Sequence, residues 1–161
     1  MRAQSTNAGA RLNKKTVVHA TSGILALLII LAFWISTASV EIVGDAGSIV
    51  ALKRTIPWGL LLLVPALVTT GLTGTSLARG ASGSIVRAKT LRMRAAAGIG
   101  ILVLAPSALY LGLTAEPDQL VGSFYAVQAV ELCAGATNIV LLSLNTRDGF
   151  RLSGRFKSRK S

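Results

Sequence analysis

Four long apolar stretches, separated by short polar segments, set the pattern of the chain. They run over about 17–40, 56–78, 95–115 and 121–144. A hydrocarbon core about 30 Å thick needs roughly 20 apolar residues in a helix, and each stretch meets that length. Backbone polar groups in lipid must be satisfied within the segment, so the expected structure is helical throughout. The pattern predicts an all-α, four-helix integral membrane bundle of one domain, 17–144, flanked by basic tails at 1–16 and 145–161.

Polar positions inside the spans are few and patterned. On the fourth span Gln128, Glu131, Asn138 and Asn145 fall within an arc of about 100° at 100° per residue, and Gly135 lies inside it. Ala129, Cys133 and Thr137 form a separate ridge of small residues, which lets another helix approach closely. An ionised carboxylate at bilayer depth costs at least about 2.5 kcal/mol, so Glu131 must face protein or water, be paired, or be protonated. Counting inward, Pro65 and Pro106 lie at nearly its depth, and each deprives a carbonyl one turn earlier of its N–H partner. Thr69, Thr73 and Ser76 share a face with Pro65 that is polar enough to meet the fourth span. The candidate intramembrane site is therefore Glu131, Gln128, Asn138, Pro65, Thr69, Pro106 and Tyr110. A packing role alone has Glu131 bonded to Thr69, Ser107 or Tyr110. Pro57 is expected in the first turn of the second span, where its missing N–H is harmless.

Charge gives the orientation. Of 161 residues 52% are hydrophobic and 14% charged, well below the roughly 25% charged of soluble domains. Seventeen Lys and Arg stand against six Asp and Glu, a net +11. Fifteen of the cations fall in the two tails and the 79–94 loop; Lys53 and Arg54, in the first outer loop, are the exceptions. The positive-inside rule places both termini in the cytoplasm, in a multi-pass protein of the bacterial cytoplasmic (inner) membrane. Trp34, Trp58, Tyr110 and Tyr125 fall in the outer halves of their spans, as an interfacial belt requires. The basic tails suit anionic headgroups. No nucleic-acid motif accompanies the basicity, so the bilayer rather than nucleic acid is the expected partner.

Chemistry-bearing motifs are sparse. One histidine and one cysteine, Cys133, exclude an intrachain disulfide and the usual His/Cys metal sites, and Cys133 within its apolar run is expected to be a buried, inert thiol. No nucleophile elbow, zinc-protease helix or phosphate loop occurs, so nothing marks an enzyme. His19, followed by Ser22, Gly23 and Ala26 on an inward stripe, resembles the axial-ligand helices of four-helix membrane b-type cytochromes. That resemblance implies haem b; bis-histidine ligation needs two imidazoles and the chain has one, so Met93, at a compatible depth at the cytoplasmic start of the third span, is the candidate second ligand.

The leading expectation is an accessory or structural membrane subunit that assembles, with its own copies or with another membrane subunit, through the polar stripe of the fourth span. The alternatives are a proton, ion or small-solute transporter using Glu131, and a haem- or quinone-binding electron-transfer subunit.

Overall fold

The protein is known from a computed structural model, which describes residues 14–78 and 83–152; most of the two basic tails lies outside them. The described residues form α1 (Lys14–Val43), α2 (Ala46–Ala78), α3 (Ser84–Ile99), a π-helical turn (Gly100–Leu104), α4 (Ala105–Thr114) and α5 (Gly122–Leu152). With α3, the π turn and α4 read as one rod, Ser84–Thr114, there are four helices long and apolar enough to cross a bilayer. The 30 residues of α1 rise about 45 Å at 1.5 Å each. The outside of the bundle is apolar, with Leu28, Leu61, Leu72, Leu102 and Leu113 all more than half exposed. That surface suits lipid and would be unusual in water.

The rods run up and down around a square. α1 packs on α2 and α5, and the α3–α4 rod packs on α2 and α5. The diagonal pairs, α1 with the α3–α4 rod and α2 with α5, never bring their Cα atoms within 8 Å of each other. Two apolar layers fill the interior. Ile49, Val50, Leu111, Ala115 and Phe124 close the end that carries the α1–α2 and α4–α5 connections, here called the loop end. Ala26, Ile30, Leu63, Ala66, Ala96 and Leu142 pack nearer the terminal end. Small residues in the second layer let the helices approach closely, which is where van der Waals packing in lipid gains most.

α2 begins at Ala46 rather than near residue 56. Gly44 and Asp45 are the whole connection from α1: the Gly44 N–H bonds to the Val40 carbonyl at 2.9 Å, where a Cβ would lie 2.5 Å from that oxygen. Asp45 then caps α2, its carboxylate accepting from the Ser48 N–H at 2.7 Å. Once capped there, the helix carries Lys53 and Arg54 inside it, not in a loop. Pro57 is likewise a helix-interior residue and not a first-turn one. Its ring removes the partner of the Lys53 carbonyl, and Gly112 of α4 packs onto both; a Cβ on Gly112 would stand 2.6 Å from Pro57 Cγ and 2.9 Å from that carbonyl oxygen.

Pro106 has a different effect. It sits in the first turn of α4, immediately after the π turn. A regular helix would direct its ring into the Leu102 carbonyl. The wider turn relieves this, with the Ala105 N–H reaching back to the Gly100 carbonyl.

Candidate functional site

α5 supplies a seam of inward residues at steps of three and four: Phe124, Gln128, Glu131, Gly135, Asn138, Leu142, Asn145 and Asp148. This is the spacing that keeps one face of a helix against its neighbours in a bundle. Gln128, Asn138, Asn145 and Asp148 are 3%, 2%, 6% and 5% exposed, so the polar stripe faces the chain's own interior.

Glu131 is paired with Lys53, whose side chain is 1% exposed against 12% for the carboxylate. The pair joins α2 to α5, the two helices whose backbones never meet, so it crosses the bundle axis. Lys53 lies on the same inward face of α2 as Ile49, Val50 and Ile56. That periodicity was the signal in the sequence: a lysine at the core position of an apolar seam, inside a segment taken for a loop. Glu41, in the last turn of α1, stands within electrostatic reach of both Lys53 and Glu131. Its Oε1 is buried with no hydrogen-bond partner among the described residues.

Beside Glu131 is a cavity of about 70 Å³. It is bounded by Trp34 and Thr37 of α1, Ile56 and Leu63 of α2, Leu104 and Ala108 next to the π turn, and Gly135. Sites for drug-sized ligands begin near roughly 300 Å³, so this space is too small for one, and its lining is almost entirely apolar, the kind of cavity that stays dry. Trp34 lines this cavity and donates from Nε1 to the Leu132 carbonyl at 2.9 Å. It faces the interior, unlike Trp58, Tyr110 and Tyr125, which keep to the outside as a belt would.

Below the cavity the polar groups continue toward the terminal end. Asn138 lies beside Gly100 of the π turn; Asn145 donates to Met93 Sδ at 3.8 Å; Arg92 Nη2 donates to Asp148 at 2.7 Å. Arg147 Nε also lies 3.6 Å from Asp148. Asp148, read from sequence as part of a basic tail, is thus the buried anchor of that end, and α5 continues to Leu152. Both polar atoms of the Gln128 amide, Asn138 Oδ1, Asn145 Oδ1 and Arg92 Nη1 are buried without a protein partner among the described residues.

The other expected site residues are elsewhere. Pro65 and Thr69 border an open groove between α1 and α2 with Val18, Thr21 and Ser22, away from Glu131. Thr73 and Ser76 meet α1 rather than α5, through His19 and Lys15. Tyr110 and Pro106 are exposed, and Glu131 takes Lys53 instead of Thr69, Ser107 or Tyr110. Cys133, expected to be buried, is exposed on the outer face of α5 with Ala129 and Thr137.

His19 turns to α2, its Nδ1 3.0 Å from the Thr70 carbonyl and 3.2 Å from Thr73 Oγ1. A carbonyl only accepts, which assigns the ring proton to Nδ1. Gly74 packs on the ring. Met93 turns instead to α5, and α1 and α3 are diagonal, so the structure does not bring the two expected haem ligands together.

No known protein family, curated protein or solved structure matches the chain. Fold and site therefore define only a class: an all-helical multi-pass bundle with four candidate membrane spans and an ion pair across its axis.

Proposed function

We propose that the protein moves protons or small monovalent cations through its own bundle, with Lys53 and Glu131 as the loading group. The carrying observation is the ion pair across the axis, in line with the Gln128 amide and the amide oxygens of Asn138 and Asn145, which are buried with no partner among the described residues. A stripe that served packing alone would be fully satisfied, because a half-satisfied polar network stabilises less than an apolar core. Polar atoms left open along an axis serve water and protons. The excess of cations at the terminal end supports a cytoplasmic location for both termini, and hence a bacterial inner-membrane setting. Proteoliposomes holding the full chain test this: an imposed pH gradient should collapse faster than in protein-free vesicles, and Glu131→Gln or Lys53→Met should abolish the difference. Flux indifferent to both substitutions removes the proposal.

A second reading, an accessory bundle that docks on its own copies or another membrane subunit, draws on the exposed ridge of Ala129, Cys133 and Thr137. Small residues facing outward allow a further helix to approach. Oxidative cross-linking of native membranes through Cys133 should trap a dimer if that face joins two copies.

A further inference from the structure

We infer that Lys89, Arg92 and Arg147 form a binding site, at the terminal end of the α3–α5 face, for an anionic phosphate group such as a phospholipid headgroup carries. It is a separate site from the ion pair on the axis and stands or falls without it.

The whole chain has six carboxylate side chains, and all lie among the described residues. Glu41 is in the last turn of α1, Asp45 caps α2, and Glu116 and Asp118 lie in the α4–α5 connection, so these four are at the loop end. Glu131 holds Lys53. Asp148 remains, about 25 Å of helix beyond Glu131, as the sole carboxylate side chain at the terminal end.

Three cations gather on it. Arg92 Nη2 donates to one oxygen of Asp148 at 2.7 Å, and Arg147 Nε lies 3.6 Å from the other. Lys89, one turn before Arg92 on the same face of α3, reaches the next residue of α5: a Cβ on Gly149 would stand 3.2 Å from Lys89 Nζ. Glycine there leaves room for the ammonium. Three positive charges thus meet one negative charge, and the chain has no other carboxylate side chain at that end to offset the excess.

The cluster grades from interior to surface. Asp148 is buried, Lys89 and Arg92 are half-buried and Arg147 is exposed. Half-buried charges are screened less by salt and water than exposed ones, so like charges held together here repel more strongly. Arg92 Nη1 has no partner among the described residues, so Asp148 does not saturate the guanidinium. An anion from outside the chain offsets the excess, and a phosphate suits these donors: an arginine fork matches two phosphate oxygens, and lysine adds a point charge. Position selects the same chemistry. Lys89 and Arg147 lie within about 8 Å of the ends of their candidate spans, Ser84–Thr114 and Gly122–Phe150, at the level where headgroup phosphates begin.

Electron spin resonance of the full chain in phosphatidylcholine vesicles tests this, comparing how strongly it immobilises spin-labelled phosphatidylglycerol and spin-labelled phosphatidylcholine. Salt at about 1 M shortens the screening length to about 3 Å and suppresses attraction by exposed cations. The wild type should still prefer phosphatidylglycerol, whose phosphate has no headgroup cation of its own. Lys89→Gln and Arg147→Gln should each lower that preference about fivefold. Asp148→Asn, which keeps an oxygen for Arg92 and removes the internal anion, should raise it. Arg94→Gln removes the same charge from an exposed position on another face of α3 and should leave it unchanged. Excess inorganic phosphate separates the sources: a preference that persists assigns the lipid phosphate, and one that collapses assigns soluble phosphate, either of which upholds the site. Equal immobilisation of the two lipids by the wild type, or a preference that Lys89→Gln and Arg147→Gln lower no more than Arg94→Gln does, overturns the inference. Retained helical circular dichroism and monodisperse elution qualify each variant, and Lys89→Arg should keep the preference if Lys89→Gln proves unstable.

Discussion

Lys53→Met should destabilise the bundle far more than Glu131→Gln, although the two side chains are partners. Methionine keeps the length and most of the volume of the lysine stem, so packing around a side chain that is 1% exposed changes little. What is lost is the charge that balances Glu131. Stranding one member of a buried pair costs about 3–5 kcal/mol. The penalty should therefore be about 3–5 kcal/mol. Glu131→Gln keeps an amide oxygen at the position that accepts from the Lys53 ammonium and should cost about 1 kcal/mol, and the double variant should return close to wild type. Unfolding in mixed micelles of rising dodecyl sulfate content measures this, followed in a Trp58→Phe background by the emission of Trp34, which lies against Leu132 and Gly135. A Glu131→Gln penalty equal to that of Lys53→Met, or a double variant no more stable than Lys53→Met alone, refutes the reasoning.

Other substitutions probe separate features. Gly112→Ala should cost about 1–3 kcal/mol, because its Cβ meets the Lys53 carbonyl and the Pro57 ring; Gly98→Ala, with open space around it, should be neutral or slightly stabilising in the same unfolding assay. Asn138→Leu should leave stability unchanged or raised, since it removes an unpartnered buried oxygen, yet should slow proton flux in proteoliposomes; unchanged flux would take Asn138 out of the path. The Asp45 carboxyl is held below its ordinary value first by the Ser48 N–H and then by the Ser48 hydroxyl. A lowered acid stabilises above its unfolded pKa and loses that contribution as pH falls through the folded one. Hydrogen-exchange protection at the start of α2 should accordingly weaken on acidification below about pH 4, and Asp45→Ala should remove that dependence.

The spans were legible because length and hydropathy alone determine whether a helix can cross a bilayer. The inward stripe of α5 was legible too, since a 100° step per residue places Gln128, Glu131, Asn138 and Asn145 on one side whatever they pack against. Which helix that side meets is a matter of tertiary packing, and local pattern does not carry it. Lys53 was missed for a specific reason. A charge near the edge of an apolar run reads as the end of a span, whereas the Gly44-Asp45 turn and cap had already started α2 upstream. Pro57 was misplaced by the same error. Asp148 was overlooked because the cations around it dominate the composition of its segment, although it binds one of them, Arg147, together with Arg92 of α3.

The π turn also bears on how long the third rod needs to be. On an unbroken α-helix Ala108, Leu111 and Ala115 would stand about 60–120° round from Ala96, at 100° per residue. All four are nonetheless buried. Removing one residue from Gly100–Leu104 would bring them to within about 40° of a common line on a regular helix. The rod is therefore an ordinary amphipathic helix that carries one surplus residue, looped into its wall beside Asn138 and the cavity. A chain with Leu102 deleted would keep the facing of both halves and shed the widened turn, which separates what that turn does for the path from what the helix does for the fold.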